Sequence, residues 1–367
     1  MRQTDPQVRQ QEIASQNAML RCGIARSNYA VMVQQTRRTF IQSSALSLAL
    51  GTPAAAALVA AVPPKGFRLG VNLAGAEFAM IGGRWNWPSL DNLHYYLAKG
   101  FNVFRVPFKW NRLQTQVMAP LDSDALSGLD QIVAAATAAK AVVLLDAHDY
   151  GRRDQQIIAD AGSPVTAAMF ADFWGRMAAR YRPNPLVWYN LMNEPHDQSA
   201  IANIQAQNAA CAAIRAAGAR SKVLFSGTAW TGAHSWMTTT NATATLEMVD
   251  PLNNFAFDAH QYLDRGYGGG TLNAIPGVGA HILQAITNWA RANQRQVFIG
   301  EFASGPTPPS LKELNDLLHF MVSNKDVFIG GTYFAGGGTW GNNMGSADPV
   351  GGVDKPQTLL LQRYLKY

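Results

Sequence analysis

Cysteine is nearly absent from this chain: two in 367 residues, Cys22 and Cys211. Cys22 falls in an N-terminal leader, so Cys211 stands alone in the remainder and no internal disulfide is available to it. It lies in an Ala-rich helical stretch and reads as a core residue. Charge is sparse as well, at 15% of residues, and the basic excess is local. Residues 1–60 carry six of the 30 Lys/Arg and two of the 24 acids, leaving 24 against 22 beyond them, a net of +2 where the whole chain has +6. No Lys/Arg cluster remains to track a phosphate backbone, so no nucleic-acid partner is expected. No Gly-rich fingerprint follows the first apolar run, which argues against a nucleotide cofactor. No Gly-x-Ser-x-Gly elbow supports a serine triad. His and Cys residues show no metal-ligand spacing, so neither a metal nor any other cofactor is expected.

The leader has its own signature. "TRRTFIQ" (36–42) precedes a moderately apolar, Ala/Ser-rich run to about Val62, with small residues in "TPAAAALVAA". Paired arginines before a weak hydrophobic segment resemble a twin-arginine export signal, and the expected destination is periplasmic or secreted. Residues 1–31 look unlike any signal region, and Met32 stands where a leader would naturally begin. The expected division is a leader over 1–62 and one catalytic domain over 63–367, since no Ser/Pro/Gly linker interrupts the rest.

Beyond Pro63-Pro64 two patterns alternate. Short β-rich runs lie at 67–75, 102–108, 141–148, 186–194, 222–227, 254–262, 296–301 and 328–335. Helical periodicity fills 88–99, 125–139, 164–181, 199–217, 277–293, 310–324 and 356–365. The stretch 228–252 is the weakest helix and reads mostly as loop. Eight strand-plus-helix units predict an α/β protein with the (β/α)8 TIM barrel fold in a single domain, with an open doubly wound sheet as the runner-up.

In such a barrel, chemistry sits where strands end. "WYNLMNEPHD" (188–197) closes an apolar run with a glutamate, which costs free energy unless it is paired or used. "VFIGEF" (297–302) repeats the device with Glu301. Strands four and seven lie nearly opposite in an eight-strand ring, so Glu194 and Glu301 can face each other across a cleft. Asn72, Arg105, His148, Asn193, His260 and Tyr262 fall on other strand ends. Two facing carboxylates, one protonated and one ionised, are what glycoside hydrolysis needs. Arg105 and Tyr262 would hold one of the two anionic, with His148 and His260 supporting the hydrogen bonding around the pair. Which glutamate takes which role does not follow from these positions.

Several motifs in one order carry a resemblance: "GVNLAGAEF" (70–78), "FRVPFKWNRL" (104–113), "LDAHDYGR" (145–152), "NEPHD" (193–197), "NAACAAIRAAGA" (208–219), "AWTGAHSW" (229–236), "DAHQYLD" (258–264) and "IGEFA" (299–303). Over about 67–341 the chain resembles glycoside hydrolase family 5, most closely its fungal-type endo-β-1,4-glucanase branch. The resemblance implies that Glu194 is the acid/base and Glu301 the nucleophile of a retaining double displacement. It further implies that Asn193 meets the substrate 2-hydroxyl, that Arg105 and Tyr262 bond Glu301, and that His148 and His260 line the cleaving subsite. Two positions depart from the family pattern. Phe334 stands where a stacking Trp is usual, with Trp340 nearby to compensate, and Asp149 replaces an Asn and adds charge near the cleft.

Sugars present apolar C–H faces to flat aromatic rings. Trp110, Trp230, Trp236 and Trp340 follow strands and are expected platforms; Trp85 and Trp87 are expected distal subsites; Trp174, Trp188 and Trp289 read as core. Glu77 and Asp264 also lie near strand ends, where a structural role is at least as well supported as a sugar contact. The expected function is a secreted, monomeric endo-β-1,4-glucanase acting on cellulose or mixed-linkage β-glucan. A mannanase, xylanase or transglycosylase of the same fold, or a non-catalytic glycan-binding barrel, is the alternative.

Overall fold

The computed structural model describes residues 66–78, 86–340 and 343–367. The leader with its paired arginines, Cys22 and Trp85 lie outside the described residues. Eight parallel strands close into a barrel: β1 (Arg68–Leu73), β2 (Val103–Phe108), β3 (Val142–Ala147), β4 (Val187–Asn190), β5 (Val223–Ser226), β6 (Phe255–His260), β7 (Val297–Phe302) and β8 (Phe328–Gly336), with β8 hydrogen-bonded back to β1. All eight coincide with the runs expected from sequence. The order is that of the chain, as short right-handed βα crossovers require.

The outer helices are α1 (Leu90–Ala98), α2 (Ser123–Ala138), α3 (Ala167–Tyr181), α4 (Ala200–Ala216), α5 (Asn241–Ala244), α6 (Gln284–Ala292), α7 (Pro308–Ser323) and α8 (Pro356–Gln362). Their starts are written in the chain: Ser89, Asp122, Thr166 and Ser199 cap four of them through their side chains, and Pro308 and Pro356 open two more. The weak stretch after β5 is indeed mostly loop, with α5 a single turn. Two bounds differ from expectation. The expected fifth full helix starts only at Gln284, preceded by a 3-10 turn at Val278–Ala280. β4 ends at Asn190, and four residues on Glu194 turns the backbone into the left-handed region at φ 41°. A small antiparallel hairpin, Arg152–Arg153 with Gln156–Ile157, was not foreseen.

The strands are sorted by alternation, since successive side chains point to opposite faces. One set (Phe104, Val106, Val143, Leu145, Tyr189, Phe225, Phe257, Ile299) joins the main core with the helices. The alternate set forms a separate apolar cluster: Val103, Val142, Leu144, Trp188, Leu224, Ala256 and Phe298. This second cluster is the barrel floor. Two residues further along the same strands, the same face turns polar.

Among the described residues no helix is long and apolar enough to cross a membrane. Cys211 is buried on α4, as expected.

Candidate active site

Stepping two residues along from the floor gives Arg105 after Val103, Asp146 after Leu144, Asn190 after Trp188, Ser226 after Leu224 and Asp258 after Ala256, all fully buried. A further step gives His148 and His260. On β7 the rhythm breaks. The β6–β7 register shifts between Ala259 and His260, so that Gly300 is an extra residue and His260 comes to pair with Glu301. Gly300 has to be a glycine, because a Cβ there would sit 2.1 Å from Asp258 Oδ1.

Arg105 is the hub of the polar layer. Its Nη1 donates to Asn72 Oδ1 and to Glu301 Oε1, both at 2.8 Å. Its Nη2 donates to Asn193 Oδ1 at 2.6 Å and lies 3.0 Å from Asp146 Oδ1. Burial works against the guanidinium charge, but Asp146, Glu301, Asp258 and Glu194 more than offset it and raise its pKa. A buried cation of this kind needs such partners, and both Nη groups have them, while Nε is buried without one.

The second oxygen of Glu301 accepts from Tyr262 Oη at 2.7 Å. Burial alone would push the Glu301 carboxyl up; His260, Arg105 and His148, with the Tyr262 hydroxyl, pull it down to about 2. This is a carboxylate held ionised on both oxygens. Glu194 is less buried and has a different neighbour: its Oε1 lies 2.6 Å from His260 Nδ1. The same Nδ1 is 3.7 Å from Glu301 Oε2. One carboxylate oxygen from each glutamate and a His260 nitrogen lie within 4.8 Å of one another. That spacing suits a metal as well as a glycosidic carbon. Both Glu301 oxygens, however, are already engaged by cationic and hydroxyl donors, an arrangement that fits a free carboxylate.

The structure therefore brings together Asn72, Arg105, His148, Asn193, Glu194, His260, Tyr262 and Glu301. His148 holds Asp146 Oδ2 at 2.8 Å and Tyr150 Oη at 3.2 Å through its two nitrogens. Asn193 Nδ2 is buried with no protein partner, a donor left over beside the pair. Two grooves flank the glutamates. One, of about 640 Å³, is lined by Glu194, Trp230, His196, Tyr150, Lys109 and Arg152 among others. The other, of about 500 Å³, runs past Tyr262, Phe334, Trp340, Met344 and the glycines 268–270.

Trp230 is half exposed, and its inner face stacks on His196 at 3.6 Å and 3°. Residues 229–231 are all left-handed, a strained turn that lifts the ring into the groove. Phe334 and Trp340 meet edge to face at 5.3 Å, with Phe78 parallel to Trp340 at 6.0 Å. Trp230 and Trp340 thus each line one of the two grooves.

Two tryptophans correct the expectation. Trp110 is fully buried against Phe170 and Phe173, with its Nε1 donating to Gln114, because the turn after β2 folds back under α3. Trp236 is fully buried between Phe257 and Trp289. Neither can meet a sugar. Trp87 is half-buried and donates to the Ala125 carbonyl. Trp174, Trp188 and Trp289 are core, as expected. Asp264 accepts from the backbone of Gly269 and Thr271 and so shapes the glycine loop. Glu77 is likewise buried, its Oε2 accepting from Gly75 N. The charge at Asp149 is buried and spoken for: it accepts from Trp110 N at 2.7 Å and lies 3.8 Å from Lys109 Nζ. Burial raises its pKa, with Lys109 opposing.

Sequence reasoning missed Asp146, Asn190 and Asp258. The signal was a repeat: Asp-Ala-His occurs at the end of both β3 (146–148) and β6 (258–260). On a strand, that spacing puts acid and imidazole on one face.

The cellulase family model (glycosyl hydrolase family 5) matches residues 69–333. The chain is 35% identical over 302 residues to endoglucanase 3 of Humicola insolens, covering 79% of this chain and 76% of that protein. It is 34% identical to endo-β-1,4-glucanase A of Emericella nidulans, covering 78% and 88%. Among solved structures, XacCel5A in complex with cellopentaose superposes with a TM-score of 0.78 at 37% identity, over 81% of this chain and 98% of that one. The endo-β-1,4-glucanase Xac0029 from Xanthomonas axonopodis pv. citri gives 0.78 at 35%, over 82% and 98%.

Proposed function

The chain belongs to glycosyl hydrolase family 5, and from that premise we propose that it is an endo-β-1,4-glucanase that cleaves internal linkages of cellulose-type glucan by double displacement, retaining the anomeric configuration. Its relatives are named endo-β-1,4-glucanases, and a related structure holds cellopentaose. One observation carries the mechanism: the two glutamates share one small space yet have opposite surroundings. Glu301 is clamped by Arg105 and Tyr262 and stays an anion. Glu194 faces the larger groove and one imidazole.

In the first step a Glu301 oxygen attacks the anomeric carbon. The C1–O bond breaks, its electron pair leaves with the departing sugar oxygen, and that oxygen takes the proton of Glu194. In the second step water attacks C1 of the glycosyl-enzyme, gives its proton to Glu194, and frees Glu301. The carboxylate spacing matches retention, since an inverting enzyme needs room for a water between its acids. Asn193 Nδ2, partnerless in the protein, supplies the donor for the 2-hydroxyl. Trp230 on one side and Phe334 with Trp340 on the other stack sugars above and below the scissile bond. We further propose that the paired arginines at 37–38 direct export by the twin-arginine route and that the mature enzyme is monomeric.

Parallel digestion of carboxymethylcellulose, barley β-glucan and mannan, with product anomers followed by proton NMR, tests this reading. β-anomers should appear first from the two glucans, with little release from mannan. Initial α-anomers would overturn the double displacement.

A further inference from the structure

Among the described residues, His260 is the one imidazole with a carboxylate at each nitrogen. Nδ1 meets Glu194 Oε1 at 2.6 Å, and Nε2 meets Asp258 Oδ2 at 3.2 Å. Asp258 is fully buried, and the His260 imidazole, whose pKa its carboxylate neighbours raise against the effect of burial, is the ionisable group in contact with it. Asp258 is steadied by Asn190, whose Nδ2 donates to Asp258 Oδ2 at 3.0 Å and to Asp146 Oδ1 at 2.8 Å. Asn190 thus ties together the two Asp-Ala-His units of β3 and β6. Gly300 on β7 leaves the space that Asp258 occupies.

We propose that Asp258 is a positioning residue for acid catalysis: by accepting the Nε2 proton of His260 it fixes the ring so that Nδ1 faces Glu194 and keeps the catalytic proton on the Glu194–His260 pair. This rests on Glu194 being the acid/base of the reading above. The logic is that of a carboxylate that fixes an imidazole tautomer without itself reacting. No atom of Asp258 touches substrate. The proton passed to the leaving oxygen comes from Glu194, and the one recovered from water in the second step returns to it.

The groups facing His260 are Glu194 from the end of β4, Glu301 from β7 and Asp258 from β6 itself. Arg105 on β2, Asp146 on β3, His148 just after β3 and Tyr262 just after β6 complete the surroundings. Asp258→Asn removes one negative charge from this set, and its amide can present a donor to Nε2. The proton on the pair is then held less well. The basic limb of the pH profile moves toward lower pH, and only reactions that need a proton for their leaving group suffer.

Two substrates separate acid assistance from everything else. Cellopentaose has a sugar leaving group that must be protonated, whereas 2,4-dinitrophenyl β-cellobioside has a leaving group that departs as an anion. For Asp258→Asn, kcat/KM on cellopentaose should fall on the order of 100-fold. The aryl substrate should lose less than about fivefold, and the basic limb on cellopentaose should move down by about one pH unit. Equal losses on both substrates with an unmoved limb would overturn the proposal. Should Asp258→Asn not fold, Asn190→Ser frees the same carboxylate and should give the same selectivity at about tenfold; equal losses there overturn it too. Glu194→Gln on the same substrates is the control. If it shows no selectivity, the acid assignment of Glu194 fails; if it is selective and Asp258→Asn is not, only the role of Asp258 fails.

Discussion

The barrel interior holds two regions built from the same strands by the same alternation, and they differ in every physical respect. The floor is a set of Val, Leu, Ala, Trp and Phe with no charge in it. The layers above contain an arginine, two aspartates, two histidines and two glutamates, mostly buried. The floor stabilises by apolar burial, about 25 cal/mol for each Å² removed from water. The upper layers gain far less, because each charge must first be desolvated, and ion pairing recovers that cost only when every partner is present. One strand residue is about 3.3 Å from the next, so stability and chemistry are separated by less than 10 Å. The comparison teaches that the upper layers are maintained for reactivity, and that the floor below holds their strands in register.

Glu301→Gln should give the largest effect and bears on the upper region alone. With the nucleophile gone, kcat/KM on cellopentaose should drop on the order of 10⁴-fold or more, while binding measured by calorimetry stays within about threefold. The variant also tests the charge at this position. The Glu301 pKa is lowered from 4.5 to about 2 in the folded protein. A depressed carboxyl stabilises the fold above its unfolded pKa, and the gain is lost as pH falls through the folded one. Between those two values the wild type should therefore lose stability more steeply than the variant in chemical denaturation. Parallel acid limbs would mean that Glu301 is not the strongly held anion described above.

The next effect belongs to the floor. Trp188 is its largest side chain and is 4% exposed. Trp188→Ala should cost about 3–5 kcal/mol of unfolding free energy. Yet kcat per folded molecule should change by less than about twofold at 20 °C, since the ring packs in the apolar floor. If instead kcat falls a hundredfold while stability is spared, the division of the interior into two regions is wrong.

The same alternation explains what could be read from sequence. Strands and floor were legible because period-two apolar runs bounded by helical segments have few other solutions. Glu194, Glu301, Arg105 and Tyr262 were legible because a polar residue at the end of an apolar run needs an explanation. Asp146, Asn190 and Asp258 escaped because they lie inside the runs, where one polar residue is outweighed by its neighbours. Trp110 and Trp236 were misplaced for another reason. Position after a strand tells where a loop starts, while the direction in which its rings turn depends on distant partners, here Phe170 and Phe173 on α3 and Trp289 on α6. A local hint existed only for Trp110, whose Nε1 bonds Gln114 four residues on.

The smallest effect concerns the rim, where the comparison extends to solvent. Trp230 is 52% exposed, the least buried of the aromatic rings near the pair, and it is backed by His196. A ring held half in water by a left-handed turn gains little for the fold beyond its stacking on His196, and a ligand over the outer face would bury the rest. Trp230→Ala should leave the melting temperature within about 2 °C, because little apolar contact is lost. It should raise KM for cellopentaose roughly tenfold, about 1.4 kcal/mol of binding, with kcat nearly unchanged. The aryl cellobioside, too short to reach far along this groove, should respond less than cellopentaose. An equal rise in KM for both substrates would place the ring at the cleavage point itself, and the border between reactive layer and binding rim would then have to be drawn further out.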